Sequence, residues 1–560
     1  MNKKLFLGAS IGSCVHVAGA IHFLNMAADE GYETLFLGPA LSVPDLMEKV
    51  RQLRPALVTV GFRLTPENVL PLLRLLKQEN EKLPEKPRWV FGGTRPVAEL
   101  VRKEAGDFFE KIYDGTEDLD DTISFLRGMQ HGGNSAVYED SLIARMAAKK
   151  PYPLLRHHFG LPDFESTRQG IAQIAQSGVL DVISLGPDQN TQQFFFHPEQ
   201  RDPAMDGAGG VPIRTEADFR ALKQASLDGN HPLLRCYSGT AEVFRMAQLL
   251  QDTIHNAWCA VPLCWYNELD GRGTRTLEQS MDEAQRLMAW HGERDIPVEV
   301  NEPHHWALRD AHDVIAVAMA YISAYNAKRY GVKDYVAQYM FNVPNSLSFS
   351  MDLAKALAQA ELAESLKDRD FRVYREVRAG LPFLSSDLDA AKGQLAASTY
   401  LSMAMAPDII HVVGYSEAEH AATPQVVIES CKIVRGVIRS TLYGAPDATK
   451  DEAVQARKRE LVREADFLIR FIKEWYSPFS DDPLSDAAVL SDCIRRGILD
   501  APHIVKGERF RGILETRVVD GKCVAWDAAH KKALSEAERI EQLKQNGNFQ
   551  SALLKAGKAG

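Results

Sequence analysis

The sequence predicts an α/β protein: an N-terminal doubly wound parallel sheet, then a (β/α)8 barrel, then a small C-terminal module. Three observations predict it. From Lys4 to about Gly128, short apolar runs ending in small or polar residues alternate with helical stretches, as in a parallel sheet covered on both faces. From about His157 to Gly444 the alternation resumes at a longer period, with enough strands to close a barrel. The length of 560 residues leaves room for about two to four domains.

In the first region the strands read LFLGAS, TLFLGP, LVTVGF, RWVFGG and KIYDGT, each followed by a helix. The opening also admits a secretory reading, because Ile11-Gly12-Ser13-Cys14 passes for a lipoprotein cleavage site. A cleaved leader should give way to an independent mature domain. Here the apolar pattern instead continues at helical spacing through Ala20, Ile21, Leu24, Ala27 and Ala28. Gly31 then stops the helix and Thr34-Leu35-Phe36-Leu37 forms the next strand. Removal at Cys14 would delete the first strand of a βαβ unit, so the flavodoxin-like reading of residues 1–128 is preferred.

Residues 129–153, with HGGNS and several charges, read as a linker. The barrel is expected over 154–446, with strands LDVISLG, HPLLRCYS, WCAVPLCW, IPVEVNE, YVAQYMFN, VYREVRAG and DIIHVVGYS and one more near Leu154 to Gly160. A TIM-type barrel carries its active site at the strand C-terminal ends. Residues 447–560 are first helix-rich and charged, then a strand-and-turn module around GILETRVVDGKCVAWD, then a solvated tail.

Composition narrows the function classes. Apolar residues make 45% and charged residues 25% of the chain, as in ordinary globular proteins. A net charge of −10 and no dominant basic patch argue against nucleic acid as a partner. No uncharged apolar run reaches the ~18 residues of a membrane span. Seven cysteines without regular spacing or a CxxC pair make no disulfide framework and suit a reducing cytoplasm. A small-molecule substrate is expected, and a homodimer is left open.

The loop ends of the first domain are CVHVAG, GFRLTPE, FGGTRP and DGTEDL, each following a strand and so facing one rim. Glycines there let backbone approach a bulky ligand. In this set the sequence resembles the cobalamin-binding domain of mutases and methionine synthase, whose pattern is Asp-x-His-x-x-Gly, later Ser-x-Leu, later Gly-Gly. His16, Gly19, Leu64, Gly92 and Gly93 match it, Thr65 follows in the same loop, and Gly115-Thr116 before a closing helix also fits. The resemblance implies cobalamin as cofactor and His16 as the lower ligand of its cobalt. Two positions depart: the family's Asp falls on Cys14 and its Ser on Gly61. The Asp orients the histidine's other nitrogen, a role that tunes a metal site, so a loop histidine beneath an orphaned pocket remains the alternative.

Over Leu155 to Arg439 the barrel resembles the large catalytic chain of glutamate mutase (methylaspartate mutase). HFGLPDFES resembles its RHGxPDA segment, VEVNEP its strand ending in REP, and GVKDYVAQY its GVKNITVGY. That family grips substrate carboxylates with arginines, whose planar fork suits the task. Two arginines of the matched segments become His158 and Asn301 here. Arg235 and Arg272 stand at or just after strand ends. Each either replaces the missing grip, Arg272 being the better placed, or pairs with a neighbouring carboxylate.

The densest polar cluster joins WYNELDGRG to VNEPHHW. Asn267, Glu268, Asp270, Arg272, Asn301, Glu302, His304 and His305 come from successive strands and should line one pocket. Such a concentration is costly to bury unless paired or functional. It reads as a substrate site, with Glu268, Asp270, Arg272, Glu302 and His304 as the catalytic candidates. A structural network closing the barrel top, and a metal held by Glu302, His304 and His305, are the alternatives. The adjacent histidines are expected to point apart. Gln338 and Asn342 of the next strand suit hydrogen bonding to a neutral ligand group or a capped loop.

The resemblance implies an adenosylcobalamin-dependent radical isomerase of the carbon-skeleton mutase type, acting on a small polar, carboxylated substrate. Two other readings fit a barrel joined to a cobalamin domain: methyl transfer through methylcobalamin, and a non-catalytic cobalamin sensor or carrier.

Overall fold

The computed structural model describes residues 4–117, 122–123, 125–128, 138–237, 239, 241–273, 275–442, 444–505 and 510–546. The first part of the expected linker, 129–137, and the tail from 547 onward lie outside the described residues. The chain divides into two compact units, Met1–Val137 and Tyr138–Gly560.

In the first unit, β1 (Leu5–Ser10), β2 (Glu33–Phe36), β3 (Leu57–Phe62), β4 (Arg88–Gly93) and β5 (Lys111–Tyr113) form one parallel sheet in the order β2-β1-β3-β4-β5. The apolar run of β3 is buried along its whole length because both faces are covered. Leu7, Val58, Val60 and Phe91 pack on one face, and Phe6, Leu57 and Val90 on the other. The chain leaves β1 toward β2 on one side and returns to β3 on the other. This reversal opens a crevice at the carboxyl ends of β1 and β3, where ligands of such sheets bind.

In the second unit, β6 (Leu154–Phe159), β7 (Val182–Leu185), β8 (Leu233–Arg235), β9 (Cys259–Ala260), β10 (Val298–Glu299), β11 (Asp334–Phe341), β12 (Arg372–Ala379) and β13 (Ile409–His411) form an eight-stranded parallel barrel. β13 returns to pair with β6. The gap between β8 and β9 is bridged by local bonds. Ala257 N donates to Leu234 O at 3.0 Å, and the Asn256 amide bonds both backbone groups of Cys236, at 2.8 and 3.0 Å.

Part of the expected linker is structured. Residues Leu142–Lys149 form a helix that buries Leu142 and Met146 against Leu154, Val182, Leu233, Trp258, Val336 and Ile409, plugging the amino-terminal end of the barrel. The i, i+4 spacing of Leu142 and Met146 gives the helix its apolar stripe.

The C-terminal segment packs on the barrel's own helices. Helix Glu452–Tyr476 lies against Asp313–Arg329 and Phe349–Glu364, with Arg457 paired to Asp313 at 2.9 Å. An antiparallel sheet of β14 (Thr516–Val519), β15 (Lys522–Asp527) and β16 (Lys532–Leu534) follows. Glu536, which opens the last described helix, reaches His312 at 2.9 Å. No helix among the described residues is long and apolar enough to cross a membrane.

Candidate functional site

The first candidate is the carboxyl edge of the N-terminal sheet. Register places Ser10, Gly61 and Gly92 side by side on β1, β3 and β4, so a row of small residues crosses three neighbouring strands near their carboxyl ends. A Cβ at Gly92 would meet nothing within 4 Å. One at Gly61 would meet Ser10 Oγ at 3.4 Å, and one at Gly93 would strike Phe62 O at 2.9 Å. Gly93 is therefore required by packing, while Gly92 leaves open space.

The loop after β1 is held from below. Ser10 Oγ donates to His16 O at 2.7 Å, and buried Cys14 accepts from Arg63 N at 3.3 Å. Cys14 Sγ lies 3.7 Å from His16 Nδ1, while the His16 side chain and Val15 are exposed. Gly19 is exposed at the start of the first helix. Leu64 packs half-buried on the core of this unit, and Thr65 is exposed beside it. Gly115 adopts φ +89°, its N–H donates to Glu117, and Thr116 Oγ1 bonds Asp114 at 2.5 Å. These residues all reach the same edge. The donor set there is one accessible imidazole backed by a thiol, beside a row of small residues. That set fits a large planar ligand ligated from below, with weaker orientation of the ring than a carboxylate gives.

The second candidate lies inside the barrel. Alternate residues of a strand share a face, and the inner positions one layer above the plug are charged. Arg156 bonds Ser184 Oγ at 2.9 Å, Glu299 at 3.0 Å and Glu376. Arg235 and Trp258 Nε1 also bond Glu299, at 2.6 and 2.7 Å. Gln338 Nε2 spans both carboxylates, at 3.1 Å to Glu299 and 3.0 Å to Glu376. Both arginines cover the Trp258 ring.

Burial works against the charge of Glu299, but Arg235 and Arg156 overcome it and hold its carboxyl well below the usual range. Burial raises Glu376, and the neighbouring Glu299 adds to the rise against Arg156 and Arg235. Two linked carboxylates are thus driven in opposite directions, the pattern that separates acid from base in a site.

One layer higher the barrel is open. His158, two residues past Arg156 on the same face, is exposed, yet its ring is 3.2 Å from Arg156 and 4.9 Å from that of His411. Its exposure marks where the barrel's interior opens to solvent, a well at the carboxyl end. Arg378, two residues past Glu376, has no hydrogen-bond or ion-pair partner among the described residues, and its Nε is buried and unsatisfied. Burial, then Arg156, lowers its pKa to about 10. His304 is pushed down to about 3 by burial, with Arg378 next in effect, and its Nδ1 has no partner. A guanidinium without a hydrogen-bond partner among the described residues, beside neutral imidazoles, has the chemistry to receive an anion.

The expected polar cluster largely proves to hold its own loops together. Glu302 is fully buried: one oxygen accepts from Leu263 N and Cys264 N, at 2.7 and 2.9 Å, and the other from Trp306 Nε1 at 3.2 Å. It ties the loop after β9 to the turn after β10, and both of its oxygens are engaged there. Asn267 is likewise saturated by Cys264 O, Ser280 Oγ and Leu269 N. Asn342 bonds Asp352 and Ser398, which makes it the capped loop.

Glu268 accepts from Leu277 N at 3.0 Å. Asp270 accepts from Tyr266 N, Asn267 N and Arg272 Nε. Arg272, paired there, covers the Tyr266 ring at 4.0 Å. Arg235 belongs to the barrel floor and not to a free grip, because Glu299 neutralises it. Gln338 is also part of that floor. Asn301 is half-buried with Oδ1 unsatisfied.

His304 and His305 do not point apart. Their rings lie 4.5 Å from each other, and that of His305 packs 5.8 Å from that of Trp265. No cluster of three or more metal-ligating side chains occurs among the described residues.

Sequence reasoning missed Arg378, Glu376, Glu299 and Arg156. The signal was present in VYREVRAG, where Glu376 and Arg378 alternate on one face of a strand that has no solvent-facing side.

No family model and no curated protein matches the chain. Among solved structures, a cobalamin-binding protein from Desulfitobacterium hafniense DCB-2 is 21% identical with a TM-score of 0.20, over 23% of this chain. The chain spans 59% of that protein's length. A truncated 3-deoxy-D-arabino-heptulosonate 7-phosphate synthase from Thermotoga maritima is 10% identical with a TM-score of 0.30, over 52% of this chain and 88% of that one. A cobalamin-dependent S-adenosylmethionine radical enzyme in its apo form is 11% identical with a TM-score of 0.17, over 87% and 70%. Likenesses this low carry no argument about what this chain does.

Proposed function

We propose that this protein is an adenosylcobalamin-dependent isomerase of the carbon-skeleton mutase type, acting on a small polar carboxylate. The observation that carries the cofactor reading is the rim of the N-terminal sheet. There an exposed His16 stands over Cys14, beside the small-residue row Ser10, Gly61 and Gly92. His16 would hold the cobalt, Cys14 would steady its Nδ1 side, and Gly92 and Gly115 would admit the corrin. When bound, the cofactor supplies a carbon-centred radical by homolysis of its cobalt–carbon bond.

The chain's own residues do the rest. Arg378 binds the substrate's carboxylate, and His158 and His304 supply neutral hydrogen-bonding groups beside it. Gly93 and Glu302 keep the two sites in shape without touching ligand. The thiol at Cys14, in place of an orienting carboxylate, favours cobalamin carriage without catalysis as a second reading.

Purified protein is mixed separately with hydroxo-, methyl- and adenosylcobalamin and passed through gel filtration. Retention of the adenosyl form supports the isomerase, and preference for the methyl form supports the transferase. Colourless protein after all three mixtures sinks the cofactor reading.

A further inference from the structure

The inner face of the barrel carries three guanidinium groups, Arg156, Arg235 and Arg378, against two carboxylates, Glu299 and Glu376, and Glu417 after β13 acts on Arg378 from beyond hydrogen-bond reach. Arg156 and Arg235 are committed to Glu299, and Arg156 also serves Glu376. Arg378 is left over. Glu376 is also incompletely served, because its Oε2 has no partner while Oε1 takes Arg156 and Gln338.

The groups that face Glu376 come from every neighbouring strand. Arg156 and His158 stand on β6, Arg235 on β8, Glu299 on β10, Arg378 on its own strand, and His411 on β13, with Nδ1 at 3.6 Å. The path from Glu376 to the open well runs past His411 to the exposed His158.

We infer that Glu376 is the proton-linked counter-charge of the well: it takes up a proton when an anion binds at Arg378 and releases it when the anion leaves. This rests on reading the barrel as the substrate site, and it holds whether or not the chain binds cobalamin. An anion at Arg378 brings a like charge toward a buried carboxylate that already resists ionisation, and like charges favour the protonated form. Binding therefore consumes a proton, and affinity falls as pH rises through the range where Glu376 ionises. At lower pH, where Glu376 is already protonated, uptake vanishes.

The test is calorimetric titration of the full chain with sodium acetate, and separately with sodium sulfate, in buffers of different ionisation enthalpy. The dependence of the heat on buffer gives the protons taken up. Wild type is expected to take up a fraction of a proton per anion near neutral pH. Glu376→Gln keeps the acceptor for Arg156 and Gln338; it is expected to bind the anion with no uptake. Arg378→Met should lose the anion altogether. Uptake that survives in Glu376→Gln assigns the proton to Glu417 or a histidine and overturns the inference. So does buffer-independent binding in wild type, and so does failure of both anions to bind. Cobalamin retention scored on the same preparation separates this outcome from the cofactor reading.

Discussion

The rim of the N-terminal sheet and the inner face of the barrel are both formed at strands, yet they are made in opposite ways. At the rim, the proposed site comes from what is missing: Ser10, Gly61 and Gly92 leave space, and a single imidazole stands exposed. In the barrel it comes from what is left over. A dense charged layer pairs around Glu299, while the Arg378 guanidinium remains without a partner among the described residues and Glu376 Oε2 stays unsatisfied. The loops after β9 and β10 hold more polar residues than either, and they spend them on one another. Polar density in a sequence is therefore a poor guide to a site. The informative feature is a group that the fold leaves unsatisfied in accessible space.

Substitutions sharpen this contrast by separating stability from ligand binding. The largest expected effect is at Arg156. Arg156→Met takes the guanidinium partner from buried Glu376 and one of two from buried Glu299, and removing one partner of a buried ion pair costs about 3–5 kcal/mol. Chemical denaturation should register that loss; a variant as stable as wild type would show that the charged layer is not structural.

A smaller effect is expected at Gly93. Gly93→Ala places a Cβ 2.9 Å from Phe62 O and 3.2 Å from Val97, and overpacking of this kind costs roughly 1–3 kcal/mol. Its neighbour is the control. Gly92→Ala meets open space and should leave the melting temperature in place while weakening corrin retention. Equal destabilisation by the two would erase the distinction between packing glycine and ligand glycine.

The smallest effect on the fold is expected at His16. The exposed ring of His16→Ala should change stability by no more than ~0.5 kcal/mol, while the spectrum of bound cobalamin shifts as its lower ligand changes. An unaltered spectrum would mean that His16 does not touch the cobalt.

Much of the architecture could be read directly from the chain. Runs such as LVTVGF and DIIHVVGYS are apolar on both faces, and that pattern reports a buried parallel strand through local chemistry alone. The helix at Leu142–Lys149 was hidden because a short, charged segment gains its apolar partner only from the barrel's foot. The site was less legible. Glu302 and Asn267 looked reactive because their hydrogen-bond partners are backbone groups of loops whose approach no local pattern encodes.

What the sequence determined by itself is the order of strands and helices and the glycine-lined rim, since periodicity and the absence of a Cβ are properties of the residues in place. Only the tertiary structure decided which charges cancel. Arg235 meets Glu299 across 64 residues and Arg156 meets Glu376 across 220. An ion pair is a matter of a few ångströms, which sequence separation does not fix. Closure of the barrel set those distances, and in doing so it consumed the expected arginine and left Arg378 without a hydrogen-bond partner among the described residues.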